Sequence, residues 1–161
     1  MSESDYGPGQ GPSARPLTEE EVIRILGEQR FGVLATVKRD GHPHLASMVF
    51  YWDAEERVIR FSSAEGRIKV SHLRHDPRAT LHVQGENVLF YAIAEGEAEV
   101  SEASTEPGDA TGRELLAMAG GFDDPADETA FLEQMTKSRR VVIRLRVSRL
   151  YGTALDGPVK D

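Results

Sequence analysis

A chain of 161 residues is long enough for one domain with its own core. Its net charge of −8 argues against a general nucleic-acid binder, which needs a basic surface, and against electrostatic attachment to anionic lipid. Cysteine is absent, which excludes disulfides, thiolate catalysis and cysteine zinc sites; no apolar run approaches the roughly 20 residues of a membrane span, and the acidic start Met1-Ser2-Glu3-Ser4-Asp5 has no signal-peptide core, so the expected location is the cytoplasm.

Residues 1–16 are rich in Gly, Pro, Ser and Gln and read as a disordered tail, followed by one domain over 17–161. Thr18-Glu19-Glu20-Glu21 is a capping box, and Val22, Ile23 and Leu26 recur at helical spacing, which predicts a helix over 18–28. Phe31 to Val37 reads as a strand, Lys38-Arg39-Asp40-Gly41 as a hairpin turn, and Pro43 to Trp52 as the returning strand. A third strand runs from Arg57 to Ser62 and a short helix to His75, ended by Pro77. Ala79 to Gln84 and Val88 to Glu102 are the fourth and fifth strands. Residues 103–138 are acidic and helical, with helices expected over 109–119 and 126–136 and apolar faces of Leu115, Leu116, Phe131, Leu132 and Met135. The last strand, 139–150, buries Val141, Ile143, Leu145 and Val147; Arg144 and Arg146 on its other face are expected opposite Glu97 and Glu99. Six strands in antiparallel order with four short helices point to a mainly β, α+β small barrel.

The segment Phe61-Ser62-Ser63-Ala64-Glu65-Gly66-Arg67-Ile68-Lys69 carries the most chemistry. It is a strand end, two hydroxyls, a turn, and a helix opening with two cations. A helix start presents free N–H groups and the positive end of its dipole, arginine clamps phosphate oxygens as a fork, and lysine adds a point charge. The segment therefore reads as a phosphate site. The duller alternative is a solvated helix start, with Ser62 as a mere cap in an S-x-x-E box. His42 with His44 and His72 with His75 have spacings compatible with metal ligation, but no third ligand is fixed, and no metal is expected.

These pieces resemble, in order and spacing, the pyridoxamine-phosphate-oxidase-like split barrels that bind flavin or deazaflavin. The resemblance rests on 32–37, on Asp40-Gly41-His42-Pro43-His44-Leu45-Ala46-Ser47-Met48-Val49-Phe50, on 57–63, on Arg67-Ile68-Lys69 and Asp76-Pro77-Arg78, and on 139–144 and 148–152. It covers about 18–100 and 139–155, and finds no counterpart for 103–138. The spacing Arg67-x-Lys69, with Leu34-Ala35-Thr36 and the Asp-Gly-His-Pro-His segment, is most similar to the branch using the deazaflavin coenzyme F-420.

The resemblance implies a six-stranded antiparallel Greek-key split barrel with short peripheral helices, and a homodimer with the cofactor between subunits. It implies that Arg67 and Lys69 bind the cofactor phosphate with Ser62 and Ser63 at the end of the strand through Phe61. Ser47, Met48 and Val49 would lie on the strand whose backbone meets the ring, and Gln84 would reach the cofactor from the second subunit. The implied function is hydride transfer between bound F-420 and a small organic substrate. An FMN flavoprotein is the near alternative; a non-catalytic cofactor or haem-binding module is the alternative of another class. No catalytic side chain is assigned, and Tyr51, His44, Lys38 and Arg39 are candidate proton donors.

Overall fold

The structure is a computed structural model and describes residues 6–157. Its strands are β1 (Ser13–Pro16), β2 (Phe31–Val37), β3 (Pro43–Val49), β4 (Tyr51–Asp53), β5 (Val58–Ala64), β6 (Arg78–Gln84), β7 (Tyr91–Val100) and β8 (Arg140–Gly157). Its helices are α1 (Glu19–Glu28), α2 (Ile68–His75), α3 (Ala110–Ala119) and α4 (Pro125–Lys137).

Local chemistry sets most of these boundaries. The capping box forms: the Glu21 N–H donates to Thr18 Oγ1 at 3.2 Å, and the Thr18 N–H donates to Glu21 Oε1 at 3.1 Å. The β2–β3 turn closes with the Gly41 N–H on the Lys38 carbonyl at 2.9 Å, and Gly41 takes the positive φ of 87° that a residue with a Cβ resists.

The strands form one antiparallel sheet in the order β3-β2-β6-β7-β8-β5-β4, with β1 added on β8. The two outer strands of that order, β3 and β4, are consecutive in the chain and meet at Phe50. Phe50 is buried, and its N–H donates to the Arg30 carbonyl at 3.0 Å. One segment thus carries both edges of the sheet, which rolls the sheet around its core while the hydrogen-bonded ladder stays open. Leu34, Ile59, Phe61, Leu81, Val83, Ile143 and Leu145 fill that core, and Val22 and Leu26 of α1 with Val70 and Leu73 of α2 join it. Among the described residues no helix is long and apolar enough to cross a membrane.

Four expectations change. The sheet has eight strands rather than six. The expected strand 43–52 is two strands, because the bend at Phe50 transfers the chain from the β2 edge to the β5 edge. Part of the expected disordered tail is ordered: Ser13–Pro16 pairs with the end of β8, and Arg15 holds Glu21 at 2.9 Å and Asp156 at 2.6 Å. Those ion pairs supply a reason for order that composition does not reveal. Residues 1–5 of the tail lie outside the described residues. The last strand runs on past 150 because Tyr151 to Thr153 continue the ladder with β7 and the following residues pair with β1.

The expected register between the fifth and last strands is present, with Glu97 opposite Arg146 and Glu99 opposite Arg144. Gly96 lies at an irregularity in that ladder, where a Cβ would collide with the Arg146 carbonyl.

Candidate functional site

From Ile59 onward β5 alternates, while Val58 at its start is buried as well. Ile59, Phe61 and Ser63 point into the core, while Arg60, Ser62 and Ala64 lie on the outer face. Its partner β8 sets Arg144, Val142 and Arg140 opposite those three. The insert covers this outer face. Glu114 of α3 accepts from Arg60 Nε at 2.9 Å and Arg144 Nε at 2.7 Å, and makes a second bond to the Arg144 guanidinium. Arg144 holds the Glu114 carboxyl below the usual range against the opposing effect of burial, and Arg60 adds to it. Arg144 is therefore tied mainly to the insert rather than to Glu99, which lies 3.5 Å away.

The insert also anchors itself. Asp109 caps α3 by accepting from the Gly112 N–H at 2.8 Å, and it takes the Thr105 N–H and the Ser104 hydroxyl at 2.9 Å. Burial opposes its charge, but those donors and the Glu106 N–H hold the carboxyl at about 2. The Thr111 hydroxyl donates to the Glu102 carbonyl at 2.8 Å.

Between the sheet and these helices lies a cleft of about 370 Å³. Ser47, Met48 and Val49 of β3, Tyr51 of β4 and Ser62 of β5 form one wall. Leu115, Met118, Ala119, Phe131 and Met135 of the two insert helices form the other, with Arg140 as the charged member. A second, more open groove of about 620 Å³ runs along the start of α2 and presents Arg39, Arg67, Arg74 and His75. Its one acid, Glu65, is engaged by Arg139 at 2.7 Å.

Lys69 lines neither space, but the charges of Arg67 in the groove and Arg140 in the cleft both act on it. Its side chain is on the first turn of α2, and the residue is only 8% exposed. Desolvation pulls its pKa below the usual lysine value, and the nearby charges of Arg67 and Arg140 pull it further. No carboxylate pairs with any of these three cations among the described residues. Several other arginines do have acids: Arg15 with Glu21, Arg57 with Glu19, Arg78 with Asp76, Arg146 with Glu99. Arg67 is the N-cap of α2 and its side chain makes no capping bond, so the helix start is left without a side-chain acceptor. The arrangement suits an anion.

The expected site residues separate as follows. Ser47, Met48, Val49 and Ser62 meet in the cleft, Arg67 lines the neighbouring groove, and Lys69 lines neither but feels the charges of Arg67 and of Arg140 in the cleft. The Phe61 side chain is wholly in the core. Ser63 faces inward too, and its hydroxyl donates to the Ala64 carbonyl at 3.1 Å. Gln84 lies on another side of β3, in a depression of about 360 Å³ with Phe31, Gly32, Val33, Ser47 and His82. Sequence reasoning did not assign Arg140 or the insert helices to the site. Arg140 is recognisable only through its pairing with Ala64. The insert left one signal, the apolar faces carrying Leu115, Phe131 and Met135.

Of the four proton-donor candidates, only Tyr51 lines the cleft. His44 instead packs edge-on against His72 with ring centroids 5.1 Å apart, and His72 Nδ1 lies 3.0 Å from the Thr36 hydroxyl. Burial holds His72 below the usual imidazole range, and His44 and Lys38 lower it further. Among the described residues no three His, Asp or Glu side chains converge as metal ligands.

A rolled antiparallel sheet with an anion-suited cluster where β5 runs into α2 defines the class: a split β-barrel. The chain belongs to the pyridoxamine 5'-phosphate oxidase family, whose N-terminal family model matches residues 18–154. Among solved structures, an F420 reductase is 28% identical, with a TM-score of 0.51, over 75% of this chain and 88% of that one. A conserved hypothetical protein from Mycobacterium tuberculosis is 26% identical, with a TM-score of 0.62, over 83% of this chain and 82% of that one. An FAD-binding protein from Mesorhizobium loti shares the fold, at 21% identity and a TM-score of 0.59, over 87% of this chain and 96% of that one.

Proposed function

We propose that the protein is an oxidoreductase that holds the deazaflavin coenzyme F-420 with its phosphate at Arg67, Lys69 and Arg140 and its ring in the cleft beside Ser47, Met48 and Val49. The observation that carries this reading is the three-cation cluster with no acid, built around a lysine that is 8% exposed. Burying such a charge without a counter-ion is costly, and a phosphate would relieve it. When bound, the coenzyme would supply a two-electron hydride carrier. The chain's part is to fix the phosphate, orient the ring against the β3 backbone, and keep water out with the apolar insert wall. Tyr51 is the one of the four donor candidates that lines the cleft, which supports it as the proton donor.

The second cationic groove favours the deazaflavin over FMN. FMN ends at its phosphate, whereas the deazaflavin continues into a longer anionic tail, and Arg39, Arg74 and His75 extend the positive surface beyond Arg67. The 28% identity to an F420 reductase points the same way. A second copy of the chain is proposed to cover the outward apolar face of β2 and β3 and complete the groove, which would bring Gln84 of one subunit toward the cofactor of the other.

Fluorescence titration of the purified protein with each cofactor tests the reading. Binding of the deazaflavin in preference to FMN is expected, and Arg67→Ala with Lys69→Ala is expected to weaken it by at least a hundredfold. Unchanged affinity in that variant would sink the phosphate assignment. Preference for FMN would move the protein to the flavoprotein alternative, and tight binding without reduction of any acceptor would make it a carrier.

A further inference from the structure

We propose that His72 and His44 are a positioning pair that seats α2 on the β2–β3 hairpin, and that mild acid unseats the helix and so weakens the anion site at its first turn. The second half rests on the phosphate assignment above.

The inward face of α2 is not purely apolar: its buried residues are Lys69, Val70, His72 and Leu73. Lys69 and His72 stand three apart and share one face of the helix. Whatever holds His72 therefore also sets Lys69, and with it Arg67, which opens the helix. The hairpin holds His72. Thr36 of β2 and His44 of β3 are opposite each other in the ladder. His72 Nδ1 lies 3.0 Å from the Thr36 hydroxyl, and Thr36 is only 1% exposed. The His44 ring meets the His72 ring edge-on, with centroids 5.1 Å apart. This contact between helix and hairpin suits two neutral rings.

A proton added to the pair finds no counter-charge. His44 Nδ1 is buried without a hydrogen-bond partner, so an N–H placed there would have no acceptor. The hairpin turn brings Lys38 and Arg39, and Arg39 lies 3.5 Å from His75 at the end of α2. The helix itself adds Lys69 on the same face, with Arg74 exposed beyond it. The acids nearby are engaged: Glu65 by Arg139, Asp76 by Arg78, and Asp40 by the His42 N–H. β7, the other strand packed against α2, turns Ala94 and Ala98 into the core. Its Glu95 and Glu99 are held by Arg149 and Arg146, and Glu97 is exposed.

Burial, then His44 and Lys38, hold His72 below the ordinary 6.5. The unseated helix thus takes up the His72 proton more readily than the seated one. Seating is favoured in full above 6.5 and is lost as pH falls from there through the lower, folded value. Coulomb attraction alone predicts the opposite for ligand binding, because a new positive charge beside a cationic site tightens its hold on an anion. Weaker binding in acid is therefore the mark of unseating.

Hydrogen exchange of the full-length protein tests this, expressed as protection relative to the intrinsic rate at each pH. Between pH 7.5 and 5.5 the protection of α2 is expected to fall about fivefold, while β5 and β8 stay within about twofold. His72→Asn puts an amide near the position of Nδ1 and cannot titrate; it is expected to remove the response. His44→Gln is expected to lessen it, and decides the matter if His72→Asn does not fold. His42→Gln, an exposed histidine on the same hairpin, should leave it intact. Fluorescence titration with the deazaflavin F-420 at constant ionic strength is expected to show binding about fivefold weaker at pH 5.5 in the parent, and no such loss in His72→Asn. The proposal is overturned if α2 protection does not change with pH, if either the His72 or the His44 variant responds as the parent does, or if the coenzyme binds more tightly in acid. If the coenzyme binds at neither pH while α2 still responds, the phosphate assignment fails and the seating of α2 by the histidine pair stands.

Discussion

Lys69 sits in a position that is unfavourable for the empty protein. The unfolded chain holds the lysine proton more tightly than the folded one, because burial and the charges of Arg67 and Arg140 depress its folded pKa from 10.5. Stability of the ligand-free protein should therefore be lowest below the folded pKa and rise with pH across the window between that pKa and 10.5. Lys69→Met keeps the apolar stem and removes the charge. It is expected to stabilise the ligand-free protein by about 1 kcal/mol at neutral pH, as removal of strained functional charges does, and to flatten the alkaline rise. Thermal melts of both proteins from pH 7 to 10 check this; equal melting temperatures throughout would show that the charge is harmless. Arg67 and Lys69 were readable as a pair because they are local to one turn. Arg140 joins them only through the β5–β8 ladder, and no spacing in the chain announces that.

Elements that read cleanly from the sequence were those whose ends carry their own chemistry. The capping box starts α1 and the Asp-Gly turn joins β2 to β3, whereas α3 and α4 were legible through their apolar faces and their caps, Asp109 and Asp124, only from the structure. What the insert does was not readable, because its attachment depends on one side chain reaching two strands. Glu114, 21% exposed, holds Arg60 and Arg144 together on the outer face. Glu114→Ala would leave two half-buried guanidinium groups short of a charged acceptor, a loss of about 2 kcal/mol by the usual worth of charged hydrogen bonds. Urea denaturation measures that loss, and amide exchange in α3 should accelerate more than exchange in β5. Uniform acceleration would mean that the bridge is part of the global core rather than the clamp for the insert.

For the whole molecule, the outward face of β2 and β3 remains to be explained. Phe31 is 71% exposed and Leu45 64% exposed, and register places Phe31 beside Val49 and Ala35 beside Leu45, so the apolar side chains form one continuous surface. A patch of this kind suits the second copy proposed above. With a second copy seated there, Leu45→Glu should convert a dimer to a monomer in size-exclusion chromatography with light scattering, and cofactor affinity should fall with it. A dimer that survives the substitution would place the interface elsewhere.

The sequence by itself determined the strand and helix inventory in outline, the family resemblance, and the two-cation turn from Ser62 to Lys69, because each depends on residues near one another in the chain. The eight-stranded count, the order of Ser13–Pro16, the addition of Arg140 to the cation cluster and the use of the insert as a cleft wall were decided by tertiary structure. Each of these requires a pairing between distant segments. Alternation along a single strand carries no record of its partner, so such pairings are settled only when the sheet rolls around its core.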